Sequence, residues 1–407
     1  MPISITTLPH LPRSRSARWL PVLLATLAMT QAGEIRFRKH VLTERYYCDG
    51  VNAGDIDRDG NTDIVAGPYW YAGPDFKRAH AIYEAVEFPR EASPTDSMFS
   101  FVDDFNGDGW PDVLKLGRVH KHQAMWFENP GRNRDAKWRA HFVTHRVKGE
   151  SPTLADVDGD GVPELLAHDG KQWGFHRPDP ADPTKPWRFR PVSEPGEYQQ
   201  FYHGEGLGDL NGDGRPDLLL NEAVLLQPRS PDSKWPRHDF QFGNKGGAQM
   251  FAFDADGDGD NDVVTSLDAH FWGLAWFENV GTNGRIDFRR HMIMGTREEE
   301  TKYGVAFSQP HALAIGDLNG DGLTDIVVGK RRWAHGPVGD VEPAAAPVVY
   351  WFEQLRRSGR TRFVPHRVDA ESGVGVQIGV TDVTGDGRPD ILTASKLGVF
   401  CFENLGE

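Results

Sequence analysis

One acidic phrase, punctuated by glycine, returns seven times in this chain and limits its fold more than any other feature. The copies begin at Asp55, Asp104, Asp156, Asp209, Asp254, Asp317 and Asp382, with spacings of 49, 52, 53, 45, 63 and 65 residues. A length of 407 residues would otherwise suggest two or three domains, but a repeat of this period implies an array of similar units. Each copy places oxygen-bearing side chains at offsets 0, 2, 4 and 8 and glycine at offset 5. The first set is Asp55, Asp57, Asp59 and Asp63, and the second Asp104, Asn106, Asp108 and Asp112. Asp156, Asp158, Asp160 and Glu164 follow, then Asp209, Asn211, Asp213 and Asp217. The fifth is Asp254, Asp256, Asp258 and Asp262, and the sixth Asp317, Asn319, Asp321 and Asp325. The seventh is Asp382, Thr384, Asp386 and Asp390.

Alternating oxygens, a sharp glycine bend and a returning carboxylate suit a hard cation that takes six to eight oxygen ligands. Calcium fits better than magnesium, which demands octahedral geometry and keeps its waters. Up to seven structural calcium ions are expected, with the seventh loop weakest because Thr384 replaces an acid or amide. An EF-hand is excluded, since it needs Glu at the twelfth position. Ala66, Lys115, Ala167, Leu220, Thr265, Val328 and Thr393 stand there instead. The runs that follow the loops, such as DIVAG and DIVVG, are β-branched and read as strands.

A second motif recurs between the loops: WFENPG from Trp126, WFENVG from Trp276, WFEQ from Trp351 and CFENLG from Cys401. Each unit then reads as four strands, the pattern of a β-propeller blade. The expected fold is all-β, a seven-bladed propeller over residues 33–407. The last repeat lacks a fourth strand, and Ile35 to Tyr46 has the composition to supply it and close the ring. By these motifs the chain resembles the FG-GAP/VCBS-repeat propellers related to integrin α-subunit heads. The resemblance implies fold and calcium rather than a reaction.

Residues 1–32 read as a secretory signal: Arg13, Arg15 and Arg18, a short apolar run, then Thr30-Gln31-Ala32. Cleavage near Ala32 would leave a secreted or periplasmic protein, expected to be a monomer without a membrane span. The net charge of −14 argues against nucleic acid. Of the acidic side chains, 24 sit at the loop positions, so the acidity says little about a partner. Cys48 and Cys401 are too few for a disulfide framework and are expected as separate, partly buried thiols, with a single bridge as the lesser alternative.

Strand direction locates the working face. Six residues before each leading Asp stand Asp49, Met98, Glu150, His203, Ala248, His311 and Val376. This position is ~20 Å from the loops, at the opposite end near the axis. His203, His311, Asp49 and Glu150 are the candidate catalytic residues, and His203 with His311 could hold a second metal. His120, His122, His270, Lys330, Arg332 and His335 are the candidate ligand-binding residues of the surrounding rim. A glycan or an extracellular protein is the expected ligand. The alternative is a carbohydrate-active enzyme of the polysaccharide lyase or aldos-2-ulose dehydratase type, a carbon–oxygen lyase. Such chemistry needs an anion clamp, a base and an acid. The recurrent His141, His145, His238, His291 and His366 are expected only to pack or face solvent. No GxSxG elbow, phosphate loop or CxxC pair occurs.

Overall fold

The computed structural model describes residues 35–407 apart from 92–94, 118–122, 134–135, 231–232 and 283; the expected signal segment lies outside them. Ile35–Gly406 form one compact unit. The architecture is an all-β propeller. Its one α-helix among the described residues is the single turn Glu300–Tyr303, and none is long and apolar enough to cross a membrane.

Each repeat runs outward as an antiparallel meander. In the second, Phe99–Asp103 pairs with Asp112–Leu116, then Ala124–Glu128, then Arg139–Thr144. The acidic loop joins the first two strands. Its glycine at offset 5 takes φ between 82° and 99° in all seven copies, where a Cβ would be strained. Second strands such as Asp63–Ala66, Glu164–His168 and Asp390–Ser395 are buried throughout, so they form the apolar interior of the blades.

Hydrogen bonding corrects the expectation of seven separate blades. Five four-stranded sheets stand alone, and the fourth and fifth repeats share one sheet of eight strands. They join because Glu205–Gly208 pairs in parallel with Met250–Phe253, Gly206 opposite Met250 and Leu207 opposite Phe251. Gly206 permits this approach, since a Cβ there would lie 1.9 Å from the Met250 carbonyl oxygen. The N-terminal strand Phe37–Thr43 pairs with Gly398–Asn404 as the outer strand of the last sheet. Cys48 and Cys401 are free thiols, and both are fully rather than partly buried.

The FEN motif gains a physical explanation. Its tryptophan stacks on a histidine of the outer strand: Trp126 on His141, Trp276 on His291, Trp351 on His366. Its glutamate bonds the same ring, Glu128 to His141 at 2.8 Å and Glu278 to His291 at 2.7 Å. His40 makes the equivalent bond to Glu403 at 2.7 Å. These outer histidines are packing elements. The asparagine reaches further, because its amide staples one repeat to the repeat before it. Asn129 Nδ2 donates to the Ile56 carbonyl at 2.8 Å, Asn279 to Leu210 at 3.0 Å and Asn404 to Leu318 at 2.8 Å. Gln354 does the same toward Ala255.

Asn279→Ala should therefore cost about 1–3 kcal/mol, the usual penalty for leaving a buried carbonyl without its donor. Urea titration of the variant measures it, and a midpoint equal to that of the parent would show that the staple is idle.

Candidate functional site

The two ends of the propeller carry different chemistry. At the loop end, the leading carboxylate of each copy accepts backbone N–H groups from its own turn. Asp104 Oδ1 takes Gly107 and Asp108, and Oδ2 takes Gly109 at 2.7 Å. The closing carboxylate is held by the following residue and by the FEN motif: Asp112 accepts from Phe105 and Asn129, Asp262 from Ala255 and Asn279. Oxygens fixed by backbone amides face a common centre. In three loops the carboxylates Asp55, Asp57 and Asp63, Asp156, Asp158 and Glu164, and Asp254, Asp256 and Asp262 bring ligand atoms within 4.8 Å of one another.

Burial, with neighbouring carboxylates adding to it, pushes the closing acids up: Asp63 to about 6, Asp112 to about 8 and Asp325 to about 7. That is the electrostatic debt a bound cation relieves, and an all-oxygen donor set fits calcium. Two loops depart from the pattern. Arg177 reaches Asp158 at 2.6 Å and also bonds Asp160, setting a guanidinium among the ligands of the third loop. In the seventh, Thr384 turns inward and donates to Asp390 at 3.2 Å rather than offering a free oxygen.

At the opposite end the structure brings together side chains from five repeats. Asp49, Glu150, His203 and His311, chosen by position in the repeat, all lie buried there; Met98, Ala248 and Val376 fill the equivalent places with apolar surface. Backbone hydrogen bonds between neighbouring repeats hold this level, including Asp49 N–H to Ser97, Glu150 N–H to Tyr202 and Val376 N–H to Asp49. Glu150 Oε2 lies 3.3 Å from His311 Nε2 and 3.7 Å from His203 Nε2. His203 Nε2 faces His270 Nε2 at 3.1 Å. Asp49 is anchored by Tyr46, whose hydroxyl donates at 2.8 Å, and by Thr95.

The cation of this centre is Arg331. Its Nη1 donates to His311 Nε2 at 2.8 Å and lies 3.7 Å from Glu150, while Nη2 lies 3.8 Å from Asp49. The strand end explains why sequence alone chose its neighbours. Pairing shifts between Pro310↔Lys330 and Ala312↔Gly329, so His311 is the extra residue of a bulge. A bulge resets which side chains face inward, and alternation cannot be counted through it. Lys330 is buried elsewhere, its Nζ donating to Ser308 Oγ at 2.6 Å. Arg332 covers the Trp333 ring at 4.3 Å and does not enter the centre. His120 and His122 lie outside the described residues.

His270 and His335 form the outer edge. Their rings lie 4.5 Å apart, and His335, 58% exposed, bonds the fully buried Asp340 through Nδ1 at 3.0 Å. Burial by itself would raise the Glu150 carboxyl, but His203, His311 and Arg331 outweigh it and hold the group below the ordinary carboxylate value. Burial, reinforced by Arg331, lowers His311 to about 3 and also lowers His203. A cleft of about 570 Å³ opens beside His270, lined by Lys245, Asp268, Phe271, Trp272, Arg290 and Glu299. Another, of about 470 Å³, lies by the third acidic loop, remote from this chemistry.

Comparison with known proteins follows the loops. Residues 104–167 and 254–328 match the FG-GAP-like repeat. A stretch of 107 residues is 31% identical to Integrin alpha-PS3 of Drosophila melanogaster, covering 24% of this chain and 9% of the integrin. Among solved structures, the V. cholerae biofilm matrix protein Bap1 aligns over 92% of both chains with a TM-score of 0.46 and 12% identity. BBS1N, solved in complex with ARL6DN, aligns over 90% of this chain and 94% of its own, with a TM-score of 0.48 and 9% identity.

Proposed function

We infer, from its match to the FG-GAP-like repeat over residues 104–167 and 254–328, that this chain is an exported calcium-loop propeller that acts on an acidic carbohydrate at the face opposite the loops. Counting the eight-stranded sheet as two blades joined edge to edge makes the ring one of seven. The strand Phe37–Thr43 would close it, a reading supported by the hydrogen bond from Val376 in the last repeat to Asp49 in the first. Calcium at the acidic loops would rigidify the blades, and the basic and apolar composition of residues 1–32 supports export.

One observation carries the functional reading. Six ionisable side chains, Asp49, Glu150, His203, His270, His311 and Arg331, converge from five repeats, and all but His270 are buried. A buried ionic network is at best neutral for stability, so a fold gains little by assembling one. Networks of this kind belong to sites of chemistry. The reaction class is elimination at a carbon next to a carboxylate, a carbon–oxygen lyase. Arg331 supplies the positive charge of the centre, held among His311, Glu150 and Asp49. His335, exposed and oriented by Asp340, takes the proton from the carbon next to the carboxylate as the β carbon–oxygen bond breaks, and returns it to the leaving oxygen.

Calcium-loaded protein, residues 33–407, mixed with a panel of acidic polysaccharides should produce the ultraviolet absorbance of unsaturated uronates. The rise should vanish in His335→Ala. A flat trace from folded protein across the panel removes the lyase reading. The second reading, a non-catalytic glycan or protein binder, is favoured by the cleft beside His270, where Phe271 is 47% exposed next to Trp272.

A further inference from the structure

We propose that His203, His270 and His311 form a three-imidazole site for a borderline divalent transition ion, of the zinc type, with Glu150 beside it and a fourth position left for a ligand, separate from the calcium loops. The site deepens the reading above by giving its centre a Lewis acid, but its geometry stands independently of any reaction.

The distances come first. Tetrahedral zinc with metal–donor bonds of about 2.0–2.1 Å has donor atoms about 3.3–3.4 Å apart. Here His203 Nε2 and His270 Nε2 are separated by 3.1 Å, and Glu150 Oε2 lies 3.3 Å from His311 Nε2 and 3.7 Å from His203 Nε2. Donor atoms of the three imidazoles all fall within 4.8 Å of one another. Three imidazoles are borderline ligands, which favour zinc-like ions over the hard cations of the acidic loops.

Unmet bonding points the same way. His203, His311 and Glu150 are 7%, 1% and 6% exposed, and Glu150 Oε2 and Nδ1 of all three rings have no hydrogen-bond partner among the described residues. With the ring proton on Nδ1, His203 and His270 turn Nε2 lone pairs toward each other, while that of His311 accepts from Arg331. Two such lone pairs facing at 3.1 Å are met by a metal ion, whereas a proton on one Nε2 would leave an ordinary hydrogen bond. The packing histidines behave differently: His141, His291 and His366 each stack on a tryptophan and bond a glutamate.

His270 is only half-buried, and its chain neighbours Asp268 and Phe271 line the cleft. Arg331 is the competitor, since Nη1 bonds the same His311 nitrogen; Asp49, 3.8 Å from Nη2, can hold the guanidinium when an ion takes that nitrogen. An ion held here would polarise a carboxylate or carbonyl oxygen of a bound ligand.

Chelator-stripped protein, reloaded with calcium, is titrated with Co²⁺ while visible absorption and bound metal are recorded. The expected result is one Co²⁺ per chain with the intense bands of a tetrahedral centre, displaced by Zn²⁺. His270→Ala, the least buried ligand, should weaken binding on the order of tenfold or more, and Glu150→Gln should alter the spectrum. Parent protein that shows no tetrahedral Co²⁺ overturns the proposal and leaves the centre as a shared-proton network with Arg331. That readout needs no variant to fold. Bound Co²⁺ without elimination activity would remove the lyase reading and leave this site standing. Elimination by protein that takes up no Co²⁺ would do the reverse.

Discussion

Chelating calcium should lower the thermal midpoint of this protein by on the order of 10 °C, the largest single effect expected of it. An ion that binds only the folded state contributes about 2.7 kcal/mol per site when its free concentration is about a hundredfold above Kd. The loops repeat that contribution around the propeller. Their oxygens are already aimed by backbone N–H groups, as Asp104 is by Gly107, Asp108 and Gly109. Without the ion, the buried closing acids Asp112 and Asp325 sit among other carboxylates, and the folded state bears the repulsion. Differential scanning fluorimetry with calcium and with excess chelator measures the shift. The third and seventh loops should fill last, because Arg177 occupies one and Thr384 closes the other. A midpoint indifferent to chelation would mean that the acidic turns are only solvated bends.

Arg331→Met should destabilise the fold by about 3–5 kcal/mol, which is the usual result of removing one partner from a buried charge network. The guanidinium is the cation between Asp49 and Glu150, all three side chains being less than one-tenth exposed. Its loss leaves Glu150 out of water without a cation beside it and weakens the set around Asp49, which Lys396 also attracts. Adding Glu150→Gln to Arg331→Met should then recover part of the loss, since the neutral amide needs no cation. The two single variants and the double variant, unfolded in urea, form a closed cycle. Strict additivity would show that Arg331 and Glu150 do not interact. If the single Arg331 variant proved as stable as the parent, the centre would be wet enough to screen its charges.

Much of the architecture was legible because a repeat states its own period. The acidic loops, the β-branched runs behind them and the WFEN motif define strands and their order without tertiary information. Position within the repeat also located Asp49, Glu150, His203 and His311, because equivalent residues of a repeat occupy equivalent places. Repetition could not reach what breaks the repeat. The merger of the fourth and fifth units depends on Gly206 opposite Met250, a contact between strands 44 residues apart. The bond from the FEN asparagine to the preceding repeat has no local signature in the sequence.

At the axis the division is sharpest. Local spacing, read along the chain, determined an all-β propeller with acidic turns at one end and ionisable residues at the other. Which of those residues meet was decided only in three dimensions. His270 comes from a second-strand exit rather than a first-strand start, and Arg331 follows a bulge that places His311 out of register. Side chains from separate repeats approach within 3–4 Å of one another because the curvature of the propeller brings their strand ends to one point. No window of sequence contains that curvature, and the chemistry of the centre depends on it.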